Sequence, residues 1–145
     1  MRIKPYTYII LMLFILFLSP SELYPQNKKD LLPKASPRKL ALVCATMCEG
    51  MNGLLPFNKA IIFSINKGKV YCFTSFNPVP EKTFILHNWY YRDKLITRIK
   101  LHIKPPRWST YSSIKFREAD KGPWRVEVTD KNGNILKTLR FSITD

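Results

Sequence analysis

Glycine, cysteine, histidine and acidic residues are all scarce in this chain of 145 residues. Five glycines leave no glycine-rich loop to cradle a phosphate, and no Gly-x-Ser-x-Gly elbow presents a serine nucleophile. Three cysteines do not make a disulfide-dense scaffold. There is no internal repeat and no low-complexity tract, and nothing after Lys39 has the period of an amphipathic helix. The ten acidic residues stand against 24 Lys and Arg, a formal charge of +14. Hydrophobic residues at 46% and aromatics at 13% exclude a disordered chain. The length excludes a two-domain enzyme or a polytopic membrane protein, since one domain takes roughly 100–200 residues.

The longest apolar stretch is Ile9–Leu18, preceded by Arg2 and Lys4 and followed by the small residues Ser19 and Ser21. Ten residues are short for a membrane-spanning helix, which needs about 20. A basic start, a short apolar core and small residues after it predict an export signal over residues 1–21. The alternative is an uncleaved anchor, and this segment is then the chain's only membrane association. Removing it leaves 22 basic against 10 acidic residues, +12. On an exported chain such charge suits anionic lipid, acidic glycan or an acidic protein, and no nucleic-acid partner is expected. Residues 22–38 hold Pro25, Pro33 and Pro37 with the charged cluster Lys28-Lys29-Asp30, and read as a linker.

From Lys39 the chain predicts a single antiparallel β-sandwich, immunoglobulin-like, of seven or eight strands over residues 39–145. Segments rich in β-branched and aromatic residues recur between turn signals: 40–47, 60–65, 69–76, 83–91, 95–103, 108–116, 124–129 and 135–143. Two alternate cleanly. Leu95, Thr97, Ile99, Leu101 and Ile103 oppose Ile96, Arg98, Lys100, His102 and Lys104; Trp124, Val126 and Val128 oppose Arg125, Glu127 and Thr129. Each therefore has one dry face and one wet face. Arg92-Asp93-Lys94 and Asn132-Gly133 mark hairpin turns.

Cys44, Cys48 and Cys72 are the whole set. A bridge between Cys48 and Cys72 would close a loop of about 25 residues, worth about 3 kcal/mol; Cys44 with Cys72 is the other option. Cys44 and Cys48 lie about 13 Å apart on one strand, too far to pair or to share an ion. No metal and no cofactor is expected. His87, with Asp93 nearby, is the sole hint of a catalytic pair, and Glu118 with Asp120 reads as a solvated turn. No enzyme is expected.

Aromatic and basic residues interleave in three places: His87–Tyr91, Arg107–Ser113 and Gly122–Val126. His87, Trp89 and Tyr91 share one strand face, as do Arg107, Ser109 and Tyr111. Exposed Trp and Tyr beside Arg would stack on sugar rings or anchor a partner. The candidate ligand-binding residues are His87, Trp89, Tyr91, Arg107, Tyr111, Lys115 and Arg125. The same tryptophans also suit the core of a sandwich, and His87 suits a hydrogen-bonded structural role.

These phrases resemble a known family. Gly68–Thr74, His87–Tyr91, Arg107–Ser112, Gly122–Val128 and Asn132–Leu136 occur in the order of the bacterial domain-of-unknown-function family 2914. The resemblance runs from about Ala41 to the end. One position departs: the family usually has Arg after the Arg-Trp pair, and here stands Ser109. The resemblance implies a compact domain of exported or envelope-associated bacterial proteins and implies no reaction. The expected function is a periplasmic or inner-membrane-tethered, non-catalytic binding module of the cell envelope. It would recognise an anionic glycan, lipid or acidic partner. The alternatives are a protein-interaction domain using a sheet edge and a small envelope hydrolase.

Overall fold

The computed structural model describes residues 38–145, and the predicted signal and all but the last residue of the predicted linker lie outside them. Nine strands follow one another: β1 Leu42–Asn52, β2 Leu55–Lys59, β3 Ile62–Ser64, β4 Lys69–Phe76, β5 Thr83–Tyr91, β6 Lys94–Ile103, β7 Trp108–Lys115, β8 Gly122–Thr129 and β9 Ile135–Thr144. They form a four-stranded sheet, β2-β1-β4-β7, and a five-stranded sheet, β3-β9-β8-β5-β6. The order β1-β4-β7 facing β9-β8-β5-β6 is the A-B-E against G-F-C-C′ arrangement of immunoglobulin sandwiches. Among the described residues no helix is long and apolar enough to cross a membrane.

Two details correct the sequence expectation. There are nine strands, because β2 was not foreseen; Pro56 within it argues against a strand. As the outer strand of its sheet β2 has no second neighbour to bond, so a proline is tolerated. Gly53, with φ +60°, supplies the positive dihedral at the first position of the two-residue β1–β2 turn. The sandwich is also not wholly antiparallel. The short β3 runs parallel to β9, with Phe63 opposite Ile143.

The alternation read from the sequence does build the core. On β8, Trp124, Val126 and Val128 are buried; on β5, Ile85, His87 and Trp89 are. Phe141 of β9 is a hub: it lies 6.1 Å from Trp89 edge to face, 6.2 Å from Trp124 in a stack and 5.9 Å from Phe63. The β5–β6 connection is the two-residue turn Arg92-Asp93, both at positive φ (44° and 66°) without a glycine.

The expected disulfide is absent: Cys44, Cys48 and Cys72 are all free. In the β1–β4 ladder Met47 faces Cys72 and Cys48 faces Tyr71. Neighbouring residues of a strand project to opposite faces, so the two thiols leave the sheet on opposite sides. Cys72 joins the main core and Cys48 does not. Burial raises both thiols above their ordinary range. Unfolded without reductant, the protein should titrate all three thiols. A count of one per chain in Ellman's assay would restore the bridge.

Candidate functional site

The candidate residues do not gather in one place. His87 and Trp89 are fully buried between the sheets, which corrects their assignment to a binding face. Their strand face is the inward one. His87 Nε2 lies 3.2 Å from Thr74 Oγ1 of β4, and Nδ1 lies 2.7 Å from Ser112 Oγ of β7. Trp89 Nε1 donates to the same Ser112 oxygen at 3.1 Å. Four side chains thus tie the five-stranded sheet to the four-stranded one, and every polar atom is used. Burial pushes the His87 imidazole down to about 4. Ser112 and His87 form a serine–histidine pair, yet both are buried and no carboxylate joins them among the described residues.

The remaining candidates scatter. Tyr91 packs on Trp124 at the rim of the core, and its hydroxyl donates to the Lys121 carbonyl at 2.7 Å. Tyr111 lies on the outer side of the four-stranded sheet, where it meets Tyr71 edge to face at 5.8 Å. Lys115, at the end of the same strand, is exposed opposite Lys69. Arg125 lies on the outer side of the five-stranded sheet, stacked 4.0 Å over Tyr90 and paired with Glu127 at 2.9 Å and with Asp93. Arg107 is exposed where the chain enters β7.

Beside Arg107 the structure places a site that the sequence reading missed. A cleft of about 470 Å³ opens between the start of β5, the end of β6 and the start of β7. Phe84, Trp108, His102, Lys82 and Lys104 are its principal walls. Phe84 and His102 are register partners with their rings 6.3 Å apart, edge to face. Lys100 Nζ sits 4.0 Å from the centre of the Phe84 ring, and Lys104 Nζ sits 4.9 Å from Trp108. Trp108 is also a wall of a second groove of about 430 Å³, which includes Arg107, Ser109 and Asn77. Its indole is therefore a ridge between two depressions with cations on both sides. Lys100 and His102 of β6 and Lys104, the residue after it, follow one alternation; the signal was the wet face of that strand.

The charge balance favours an anion at this place. Residues 38–145 carry 19 basic and 8 acidic side chains. All eight carboxylates are engaged. Glu49 pairs with Lys67, Glu81 with Lys131, Asp120 with Arg117, Glu118 and Asp145 with Lys121, and Asp93 and Glu127 with Arg125. Asp130 accepts three hydrogen bonds within its own loop, from the backbone of Asn132 and Asn134 and the Asn134 amide. None walls the cleft, and Lys82, Lys100, Lys104 and Arg107 have no carboxylate partner among the described residues. A cation over an aromatic ring is attracted to it while keeping N–H donors for a ligand. Among the described residues no group of three or more His, Cys, Asp or Glu is placed to hold a metal ion.

Residues 82–143, from the edge of β5 into β9, match the model of a family described as protein of unknown function (DUF2914). This is the family that the sequence resembles; the matched segment contains Phe84, His102, Lys104 and Trp108 and begins after the phrase Gly68–Thr74. No curated protein matches the chain.

Proposed function

We propose that this chain, whose last five strands carry a family match that names no activity, is a non-catalytic binding module of the bacterial cell envelope. It holds an anionic partner, a glycan, lipid headgroup or acidic protein, in the cleft between Phe84 and Trp108. One observation carries this role: every described carboxylate is occupied elsewhere, while Lys82 and Lys104, without acidic partners, wall an open aromatic cleft, Lys100 lies over its Phe84 ring and Arg107 lines the adjoining groove. Phe84 and Trp108 supply apolar surface for a sugar ring or acyl stem. Lys82, Lys100, Lys104 and Arg107 supply the charge. Placement in the envelope draws on the apolar run Ile9–Leu18 with its basic flank, and on the family resemblance.

Binding of the purified protein to phosphatidylglycerol vesicles and to an immobilised acidic polysaccharide tests this role. Affinity for one of them should fall steeply as salt rises past about 0.1 M, where the screening length is about 10 Å. The K100E/K104E variant should bind about tenfold more weakly at low salt, because two attractive charges become repulsive ones. Equal binding by the variant and the parent protein would remove the cleft from consideration.

A second role has its own support. Leu54, Leu55, Phe57, Ile61 and Ile62 are all at least half exposed or nearly so, along β2 and the start of β3. An apolar strip beside a free sheet edge suits strand addition by a protein partner. Such binding would be insensitive to salt and unchanged in K100E/K104E.

A further inference from the structure

At the opposite end of the β5–β6 hairpin from the cleft, three arginines line a small depression of about 150 Å³, whose other walls are Tyr90, Asp93, Pro123 and Trp124. Arg125 and Arg140 are direct cross-strand partners in the β8–β9 ladder. Like charges set directly opposite each other in a sheet are destabilising unless something neutralises them. Arg125 is already immobilised: its ring neighbour is Tyr90 at 4.0 Å, and Glu127 and Asp93 hold its Nε and Nη1. Its Nη2 remains uncommitted to a carboxylate. Arg92 is held as well. It sits in the turn at positive φ, with its guanidinium 5.1 Å from the Tyr91 ring centre. Arg140 is exposed and has no carboxylate partner among the described residues. Three guanidiniums against Asp93 and Glu127 leave one net positive charge.

We propose that Arg92, Arg125 and Arg140 form a discrete oxyanion site for a phosphate or sulfate group. The planar guanidinium forks of Arg92 and Arg140 each match two oxygens of such a group, Arg125 adds its free Nη2, and Arg92 and Arg125 are held in place before the anion arrives. A depression of this size admits the oxyanion head and not a whole sugar. The anion would bridge Arg125 and Arg140 and so relieve the cross-strand repulsion between them. The site is separate from the Phe84–Trp108 cleft and does not depend on it.

The test uses the purified full chain and its R140Q variant, which removes one charge from an exposed position. The first arm is thermal unfolding with inorganic phosphate against sodium chloride at matched ionic strength. The second is co-sedimentation with vesicles of phosphatidylcholine with and without phosphatidic acid. Phosphate at about ten times its dissociation constant should raise the parent Tm by about 5 °C over the chloride control. R140Q should lose that rise, and without phosphate its Tm should equal or exceed that of the parent. A phosphate-dependent rise assigns the site to a soluble oxyanion. Sedimentation with phosphatidic acid that R140Q weakens and K137Q does not, without a rise in free phosphate, assigns it to a lipid-borne one. The proposal is overturned if neither occurs, if R140Q responds as the parent does, or if R140Q unfolds at a lower Tm in chloride. K137Q, which removes one charge from an exposed position of the same strand outside both sites, should leave both arms unchanged.

Discussion

Trp89→Ala should unfold the domain or bring it to the edge of unfolding, at a cost of about 3–5 kcal/mol. Trp89 is fully buried, touches Phe141 edge to face and donates its indole hydrogen to Ser112. Truncation opens a cavity between the sheets and strips a hydrogen bond from the network that joins them. A domain of this size has roughly 5–15 kcal/mol in total, so the loss is a large share of it. Urea unfolding followed by tryptophan fluorescence measures it. Trp108→Ala is the matched control. Trp108 is half-buried on the ridge between the two grooves, so its loss should spare the fold and weaken anion binding. If the two variants exchanged these outcomes, the roles assigned to the two indoles would be reversed.

Mild acid should destabilise the protein through His87. In the unfolded chain the imidazole takes its proton near pH 6.5; in the fold, burial pushes it down to about 4. The native state therefore binds fewer protons between these values, and stability rises with pH across the window. The His87 contribution is fully present above pH 6.5, declines as pH falls toward 4 and is gone below that. Its size is about 3 kcal/mol, from the 1.36 kcal/mol that accompanies each tenfold change in proton affinity. Hydrogen bonds from Asn58 to Glu49 and from Lys131 to Glu81 lower those carboxyls, so they titrate below most of this window. Urea midpoints from pH 7 to pH 4.5 should fall steadily for the parent protein. His87→Gln keeps a donor and an acceptor but does not titrate, and its midpoints should stay flat over the same range. A parent profile as flat as the variant's would mean that the imidazole takes its proton inside the fold at its ordinary pH.

Much of the architecture was legible because strands announce themselves by alternation. The segments 69–76 and 83–91 coincide with β4 and β5, and 95–103 misses β6 by one residue. Trp124, Val126 and Val128 are buried as their spacing required. The edge strand β2 was not legible, since Pro56 contradicts a strand wherever a second neighbour must be bonded. The disulfide failed on parity. Cysteines that are near neighbours across a ladder still point apart when their register differs by one.

The binding residues show the same division more sharply. The sequence could group His87 with Trp89 and Tyr91 on one face, and Arg98, Lys100, His102 and Lys104 on another. It could not say which face of β5 meets the other sheet, because that strand is apolar and polar on both sides. By itself the sequence determined the β class, the bounds of β4 and β5 and the positive charge. Composition and period two are local properties, legible without a partner. Only the tertiary structure decided that Trp89 is fully buried and that Trp108, half-buried at the edge of the core, stands between two grooves. It also decided that eight carboxylates are engaged elsewhere, and that Phe84 and Trp108, from two sheets, form one cleft. Those facts depend on which sheet each strand joins and on the packing of one sheet over the other, and no single segment encodes either.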